Sequence, residues 1–175
     1  MYNIAIGEKM KLYHYAPKEN TVLTQGLLSF SKTPKSGSIK GYVNRAGSDN
    51  YDDIVKWLER GFSGRSRSIS CLTEPIRWQG NDIVLKAIVN RSELFSFELD
   101  DLIEAGIVEA IWCKDGLTFD NKENFYQVTS EQITTKPLAW EKVDASKELL
   151  YAVIKHYLIV LKNGYIPPQY LTLEK

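Results

Sequence analysis

The chain has 175 residues, of which 43% are hydrophobic and 25% are charged. This length and composition are typical of one folded domain, so we expect a single domain over residues 1–175 that buries a core without metal or disulfides. Lysine plus arginine and aspartate plus glutamate both total 22, which gives a formal net charge of zero. A neutral balance argues against a general nucleic-acid coat or a membrane-surface binder, although a local basic patch is compatible with it.

The two cysteines, Cys71 and Cys113, and the two histidines, His14 and His156, are far apart in the sequence. They lack the paired spacings of structural zinc sites, and reduced thiols are expected in preference to a disulfide. No apolar run approaches the roughly 20 residues needed to span a bilayer, and the N-terminus lacks the pattern of a signal peptide. The sequence therefore predicts a cytoplasmic protein with no membrane partner.

The first predicted elements surround a histidine. A short strand is expected at Leu12–Tyr15, followed by a proline-led turn and a short helix that together span Pro17–Gln25. Gly26 is expected to end that helix in the left-handed conformation. His14 is near the end of the strand among aromatic and apolar neighbours, and a turn follows it. This arrangement is typical of the floor of a pocket.

The next predicted elements are a helix and a central strand. A surface loop at Lys35–Asn50 supplies capping side chains for a helix at Tyr51–Arg60. A flexible basic turn at Gly61–Arg67 then leads into a strand at Ser68–Thr73, where β-branched and small residues dominate. Pro75 ends this strand because proline lacks a ladder donor.

The second half of the chain is predicted from apolar patterning and turn residues. The apolar positions between Leu149 and Leu161 follow helical spacing, which predicts the longest helix of the chain. We expect an α+β domain of five to seven short strands in small mixed or antiparallel sheets, packed with three or four helices. The predicted elements are a helix at Asn81–Asn90, where a strand is an alternative, a strand at Leu94–Glu98, a short helix at Glu98–Ala105 ended by Gly106, strands at Ile107–Cys113 and Asn124–Thr129, and the long helix at Ser146–Lys162.

Two groups of residues are candidates for a binding or catalytic site from their residue types and spacing alone. Arg65 and Arg67 flank a glycine- and serine-rich turn, and the guanidinium fork and accessible amides of such a turn suit a phosphate. A solvated basic loop explains the same residues. Cys71 and His156 could form the nucleophile and base of a cysteine hydrolase. The strand-like context of Cys71 disfavours this, because such nucleophiles favour a helix N-terminus.

Three segments of the chain resemble the ADP-ribosyltransferase-like superfamily. Leu-Tyr-His-Tyr-Ala at 12–16, followed by a short helix and Gly-Leu-Leu-Ser at 26–29, resembles the opening of several of its branches. The segment Ser68–Pro75 is similar in type to its second element, a serine- and threonine-rich strand that lines the nicotinamide pocket. The segment Asn124–Ile133 resembles its late strand, which usually carries the catalytic glutamate.

This resemblance implies that NAD is bound as a substrate, in a cleft between two small sheets, and that its nicotinamide–ribose bond is cleaved. His14 would hydrogen-bond the ribose next to nicotinamide, and a ring such as that of Tyr42 or Tyr51 would stack on nicotinamide. The acceptor would be water, a protein or a nucleic acid. The other residues expected to bind NAD are Tyr13, Tyr15, Arg65, Arg67, Ser70 and Thr73.

The catalytic glutamate is where the chain departs from the superfamily. The matching strand offers Gln127, with Glu123 and Glu131 nearby, and has no clear Glu-x-Glu. We expect Gln127 or Glu123 to face the reacting centre. Because the glutamate is not clear, NAD binding alone, NAD hydrolysis and an inactive scaffold remain alternatives to ADP-ribosyl transfer to a protein. The alternative from another class is a non-enzymatic interaction or inhibitor module that uses the tail Tyr165–Leu171 and the loop Lys35–Asn50.

Overall fold

The computed structural model describes residues 9–18, 21–33, 43–73, 75, 83–115, 125–133 and 155–175. These residues form strands β1 (Lys11–Pro17), β2 (Leu27–Leu28), β3 (Ser68–Leu72), β4 (Ser92–Glu98), β5 (Val108–Asp115), β6 (Tyr126–Val128), β7 (Lys155–Leu161), β8 (Tyr165–Ile166) and β9 (Thr172–Leu173). They also form helices α1 (Val22–Gln25), α2 (Val43–Ala46), α3 (Tyr51–Gly61), α4 (Ile83–Arg91) and α5 (Leu99–Glu104).

Seven of these strands form one antiparallel sheet in the order β6-β5-β7-β3-β1-β4-β9, and β2 pairs with β8 in a separate ribbon. The α+β class is therefore confirmed, and the helix content is close to the prediction. The sheets differ from the prediction, because the described strands form one large antiparallel sheet and one two-stranded ribbon. Within the described ranges, no helix has the length and apolar composition needed to cross a membrane.

The main core lies against one face of the large sheet. Alternation along β3 and β7 directs Ile69, Cys71, Tyr157 and Ile159 to this face, where all four are buried. Phe95 and Phe97 of β4, Leu12 of β1, and Leu99 and Leu102 of α5 belong to the same cluster. The opposite face is covered next to β7 by the turn after α3, where Gly64 lies against the side chain of Val160.

Helix α3 begins where the sequence predicts. The side chain of Asn50 accepts hydrogen bonds from the amides of Asp52 and Asp53, and these aspartates favour the positive end of the helix dipole. Ile54 and Leu58 are buried against Phe30, which fixes α3 next to the segment that follows β2. The helix therefore holds the turn at residues 62–67 close to the sheet.

The predictions near His14 need small corrections. β1 continues to Pro17, so the helix is shorter than expected and spans only Val22–Gln25. Gly26 has a positive φ of 87°, as predicted, but its ψ of −178° is extended rather than left-handed helical. The predicted helices at 81–90 and 98–105 and the strands at 68–73, 94–98, 107–113 and 124–129 are confirmed with small shifts in their ends.

The prediction of a helix at Ser146–Lys162 is wrong over its second half. Lys155–Leu161 is the interior strand β7, with β3 on one side and β5 on the other. A strand buried on both faces has a continuous apolar run, and such a run also satisfies helical spacing. Residues 146–154 lie outside the described residues, as do Tyr42, Glu123 and the first half of the predicted loop at 35–50, whose second half contains the helix α2.

Candidate functional site

The candidate site begins where β1 and β3 separate. Over their described lengths these strands share one register pair, Tyr13 opposite Leu72, whereas β3 and β7 share five pairs. Beyond Tyr13 the ring of His14 bridges the gap, and its Nδ1 makes a short hydrogen bond to the backbone carbonyl of Ser70. The hydrogen bond from the His14 side chain thus takes the place of backbone hydrogen bonds between β1 and β3 at this point. The sheet therefore has a gap here that is lined by polar groups.

The bond to Ser70 fixes the protonation of His14. A carbonyl oxygen only accepts, so Nδ1 of His14 carries the proton and donates it. Burial lowers the pKa of His14, and the Ser70 carbonyl opposes this by stabilising the charged form. Because the net shift is downward, the imidazole is neutral at pH 7 and its Nε2 is an acceptor. The ring can therefore receive a hydrogen bond from a ligand hydroxyl.

The hydroxyl of Ser70 is bonded to a second histidine. Its Oγ makes a short hydrogen bond with Nε2 of His156, on the neighbouring strand β7. Burial, which is the largest cause, together with the positive charges of Arg65 and Lys114 and the proximity of His14, lowers the pKa of His156 to about 3. His14, Ser70 and His156 therefore form a hydrogen-bonded row across β1, β3 and β7, with both rings neutral at pH 7.

Two cations and an aromatic ring adjoin the end of this row. Lys114 of β5 is directly opposite His156 in the register of β5 and β7, and it is only 5% exposed. The ring centroid of Phe125 is 5.4 Å from that of His156. The Nζ atom of Lys114 lies 5.5 Å from the centre of the Phe125 ring, and the Cζ atom of Arg65 lies 5.1 Å from it. We call Arg65, Lys114, Phe125 and His156 the basic corner.

Arg65 reaches this corner from the turn after α3. Gly64 has a φ of 89°, which turns the chain into the short 3₁₀ segment Arg65–Arg67. The carboxylate of Glu59 accepts hydrogen bonds from the amides of Gly64 at 3.1 Å and Ser66 at 3.0 Å. These are amides that a phosphate would use in the predicted turn site, so within the protein a carboxylate already occupies that position.

Arg67 points to a different part of the molecule. Its Nη1 atom lies 2.6 Å from Oε2 of Glu109 and 3.1 Å from the carbonyl oxygen of Leu161. These contacts connect the turn after α3 to the end of β7 and the start of β5. Of the two arginines predicted to meet phosphate, Arg65 adjoins the row of histidines and Arg67 makes structural contacts.

The tyrosines of β1 lie on the face of the sheet that carries the side chains of Ser70 and His156. Tyr13 is opposite Leu72, and Leu72 is opposite His156, so alternation places Tyr13, Tyr15 and Ser70 on the face of His156. Both tyrosines are half-buried and Ser70 is exposed. Thr73, half-buried, follows the end of β3. The structure thus groups Tyr13, Tyr15 and Ser70 with His156, whereas alternation starts the His14 side chain on the core face and its ring reaches the Ser70 backbone carbonyl in the gap between the strands.

Gln127 is on the same face but remote from the row. It is opposite Trp112 on β5, Trp112 is opposite Leu158 on β7, and Leu158 is opposite Ser70. Three strand spacings separate Gln127 from Ser70, about 14 Å in all. Gln127 is exposed on the edge strand β6. The structure therefore does not bring Gln127 next to His14, and Glu123 is outside the described residues.

Cys71 and His156 do not form a catalytic pair. Cys71 is opposite Tyr157, whereas His156 is opposite Leu72, so the two side chains project from opposite faces of the sheet. Cys71 is 1% exposed, and burial raises the pKa of its thiol, which opposes formation of the nucleophilic thiolate. Tyr157 lies between Cys71 and Cys113 in the sheet, and both thiols are free.

Sequence reasoning did not place Lys114 or Phe125 at this site. It considered His156 only as a partner of Cys71, within the predicted helix at Ser146–Lys162. The signal that could have found them is the strand register, which places His156 between Leu72 and Lys114. Comparison of this chain with known protein families, curated proteins and solved structures found no match.

Proposed function

We propose that this protein binds NAD at the gap between β1 and β3 and cleaves the bond between nicotinamide and ribose. The observation that carries the proposal is the hydrogen bond between His14 and Ser70. These residues belong to two separate segments of the sequence that both resemble the ADP-ribosyltransferase-like superfamily, and they lie on adjacent strands. A cytoplasmic setting, where NAD is available, is part of the proposal.

The protonation of His14 suits the role that the resemblance implies. Because Nδ1 donates to the Ser70 carbonyl, the Nε2 atom accepts, and a ribose hydroxyl is the natural donor to it. Tyr13 and Tyr15 precede and follow His14 on β1 and supply aromatic surface on the face of Ser70, whereas the His14 side chain starts from the opposite face and reaches the gap between β1 and β3. The nicotinamide ribose is therefore assigned to the β1 side of the site.

The positions of two cations, Arg65 and Lys114, indicate how NAD is oriented along the sheet. Cleavage of the glycosidic bond develops positive charge on the ribose, and nearby cations would raise the energy of that transition state. Arg65 and Lys114 lie towards β5, on the other side of β3 and β7 from His14. The phosphates of NAD are accordingly assigned to the β5 side, with Arg65 in the phosphate-binding role.

Two features favour a second candidate, a nucleotide-binding module without catalysis. Gln127 has no charge to stabilise a cationic centre, and it is three strand spacings from Ser70. In the enzyme proposal a carboxylate such as Glu123 must supply this stabilisation, with water, a protein or a nucleic acid as the acceptor. The two candidates differ in one product, because only the enzyme releases nicotinamide.

The test is thermal unfolding with and without millimolar NAD, with nicotinamide release assayed in the same samples. The proteins are wild type, His14→Ala, and Ser92→Ala, a control substitution on β4 outside the row. A ligand that binds only the folded state at 100 times its Kd stabilises it by about 2.7 kcal/mol. We expect a rise in Tm for wild type and Ser92→Ala, and none for His14→Ala. No rise in wild type overturns NAD binding, and a rise without nicotinamide release supports the binding module.

A further inference from the structure

We propose that Arg65 and Lys114 form a diphosphate-binding site in the basic corner, between the row of histidines and the ring of Phe125. The inference rests on the proposed function for the identity of the ligand, which is a nucleoside diphosphate group. It assigns to this site a residue, Lys114, that the sequence did not indicate. The geometry and charge of the corner carry the proposal.

Lys114 is held in the corner by the sheet. Its position opposite His156 puts the two Cβ atoms within about 5.5 Å, and its low exposure confines the ammonium to the neighbourhood of the Phe125 ring. By contrast with Lys114, a lysine on an exposed strand edge would extend its ammonium group into water. Here the backbone ladder fixes the side chain on the face that carries Ser70.

Arg65 approaches the same ring from a separate element. Its guanidinium carbon is 5.1 Å from the centre of Phe125 and 5.6 Å from that of Phe62. The turn that carries Arg65 is held by the Glu59 carboxylate, which bonds the amides on either side of this residue. The arginine is thus positioned by backbone contacts rather than by a flexible loop.

Two cations, Arg65 and Lys114, lie close to one partly buried ring. Both act on His156 in the same direction, since each disfavours a proton on the imidazole. A phosphate bound between them would accept charge-assisted hydrogen bonds from the ammonium and from the guanidinium fork. It would also reduce the repulsion between the two cations, which favours an anion of two or more charges.

Binding at this position has a consequence for His156. Among the residues that the structure describes, the charged groups that act on this ring are Arg65 from the turn and Lys114 from β5, with the titratable His14 beyond Ser70 on the other side. When an anion neutralises the two cations, the pKa of His156 rises because its protonated form is no longer repelled. Anion binding and proton uptake by His156 are then coupled, and each strengthens the other.

The experiment titrates the folded protein with inorganic pyrophosphate and measures the Kd by calorimetry and the His156 ring resonances by NMR. Variants are Arg65→Gln, Lys114→Met and, as a control with the same change of charge, Lys162→Met, whose exposed side chain lies at the far end of β7. We expect the Kd to rise about 10- to 100-fold in the first two variants and to stay within about twofold in the control. The His156 resonances shift on binding in wild type.

An equal loss of affinity in Lys162→Met overturns the site, because it shows general attraction by net charge. Unchanged affinity in Arg65→Gln or in folded Lys114→Met also overturns it. If Lys114→Met fails to fold, wild-type His156 resonances that do not respond to pyrophosphate overturn it by themselves. If the protein binds pyrophosphate but not NAD, the NAD proposal is overturned and this inference is not. If NAD binding depends on His14 but is unaffected by Arg65→Gln, this inference is overturned and the NAD proposal is not.

Discussion

The ring of His14 and the carbonyl of Ser70 are joined by a hydrogen bond at the point where β1 and β3 separate. The bond has two consequences. It connects β1 and β3 where their backbone ladder ends, and it fixes Nε2 of His14 as an acceptor. A substitution at His14 therefore changes both stability and ligand binding, and the two effects can be separated by the choice of side chain.

Replacing His14 by asparagine or by phenylalanine separates these effects. His14→Asn keeps a donor for the Ser70 carbonyl, whereas His14→Phe keeps only an aromatic ring. We expect His14→Phe to lower the free energy of unfolding by about 1 kcal/mol, and His14→Asn to lower it less. Both lose the acceptor at Nε2, so both lose the NAD-dependent rise in Tm. Urea titration and thermal unfolding measure the two quantities, and NAD stabilisation retained in His14→Phe contradicts the ribose role.

The two neutral histidines make the protein sensitive to acid. His156 has an ordinary pKa of 6.5 and a pKa of about 3 in the folded protein, and the pKa of His14 is also lowered. Between these values the unfolded chain binds more protons than the folded one, so unfolding becomes easier as the pH falls from about 6.5 towards 3. Above about pH 6.5 this contribution to stability is fully present.

Urea unfolding between about pH 4 and pH 8 checks this dependence. His156→Gln removes the titrating ring and keeps a polar partner for Ser70, so the fall in stability below about pH 6.5 becomes shallower. Ser92→Ala keeps both histidines and serves as the control with an unchanged slope. An identical slope in wild type and His156→Gln shows that other groups determine the acid sensitivity.

The parts of the site that could be predicted are those that residues close together in the sequence determine. A short strand with His14, a turn after it, and a serine-rich strand containing Ser70 are each visible within about ten residues. Local pattern does not show that these two strands are neighbours in the sheet. The helix α3 and its Asn50 cap were also predictable, because capping residues act within one turn.

The rest of the site depends on register between distant strands. His156 is more than 80 residues from Ser70, and its hydrogen bond to that residue needs β7 to pair with β3. The run from Lys155 to Leu161 satisfies both a buried strand and a helix face, so the periodicity could not distinguish them. Lys114 becomes significant only once β7 is known to lie opposite it.

The Glu59 carboxylate determines whether the turn after α3 is a support or a phosphate site. It accepts from the amides of Gly64 and Ser66, so we assign it a supporting role. Glu59→Ala is expected to lower the free energy of unfolding by about 1 to 3 kcal/mol, and Glu59→Gln by less because one acceptor remains. Glu104→Ala, which removes an exposed carboxylate from α5, is the control. Urea titration gives these values, and a Glu59→Ala protein as stable as the control contradicts the supporting role.

The buried thiol of Cys71 is expected to be inert in the folded protein. Alkylation by iodoacetamide should be slow in native buffer and fast in urea, because the raised pKa keeps the thiol protonated and the core excludes the reagent. Mass spectrometry of peptides that contain Cys71 and Cys113 measures both rates. Rapid native alkylation of Cys71 accompanied by loss of an activity would revive the cysteine-hydrolase alternative.

Gly26 fixes the path from α1 into β2. Its φ of 87° with an extended ψ is a conformation that essentially only glycine adopts, and a Cβ atom there would lie 2.1 Å from the carbonyl oxygen of Ile166. Gly106 provides a matched comparison, because it has a φ of 72° and a Cβ atom there meets nothing within 4 Å. We expect Gly106→Ala to cost about 1 kcal/mol and Gly26→Ala clearly more, since backbone atoms of β8 must also move. Urea titration of the two variants measures the difference. Equal losses of stability would show that the contact with Ile166 relaxes at no cost and that the positive φ alone determines the preference for glycine.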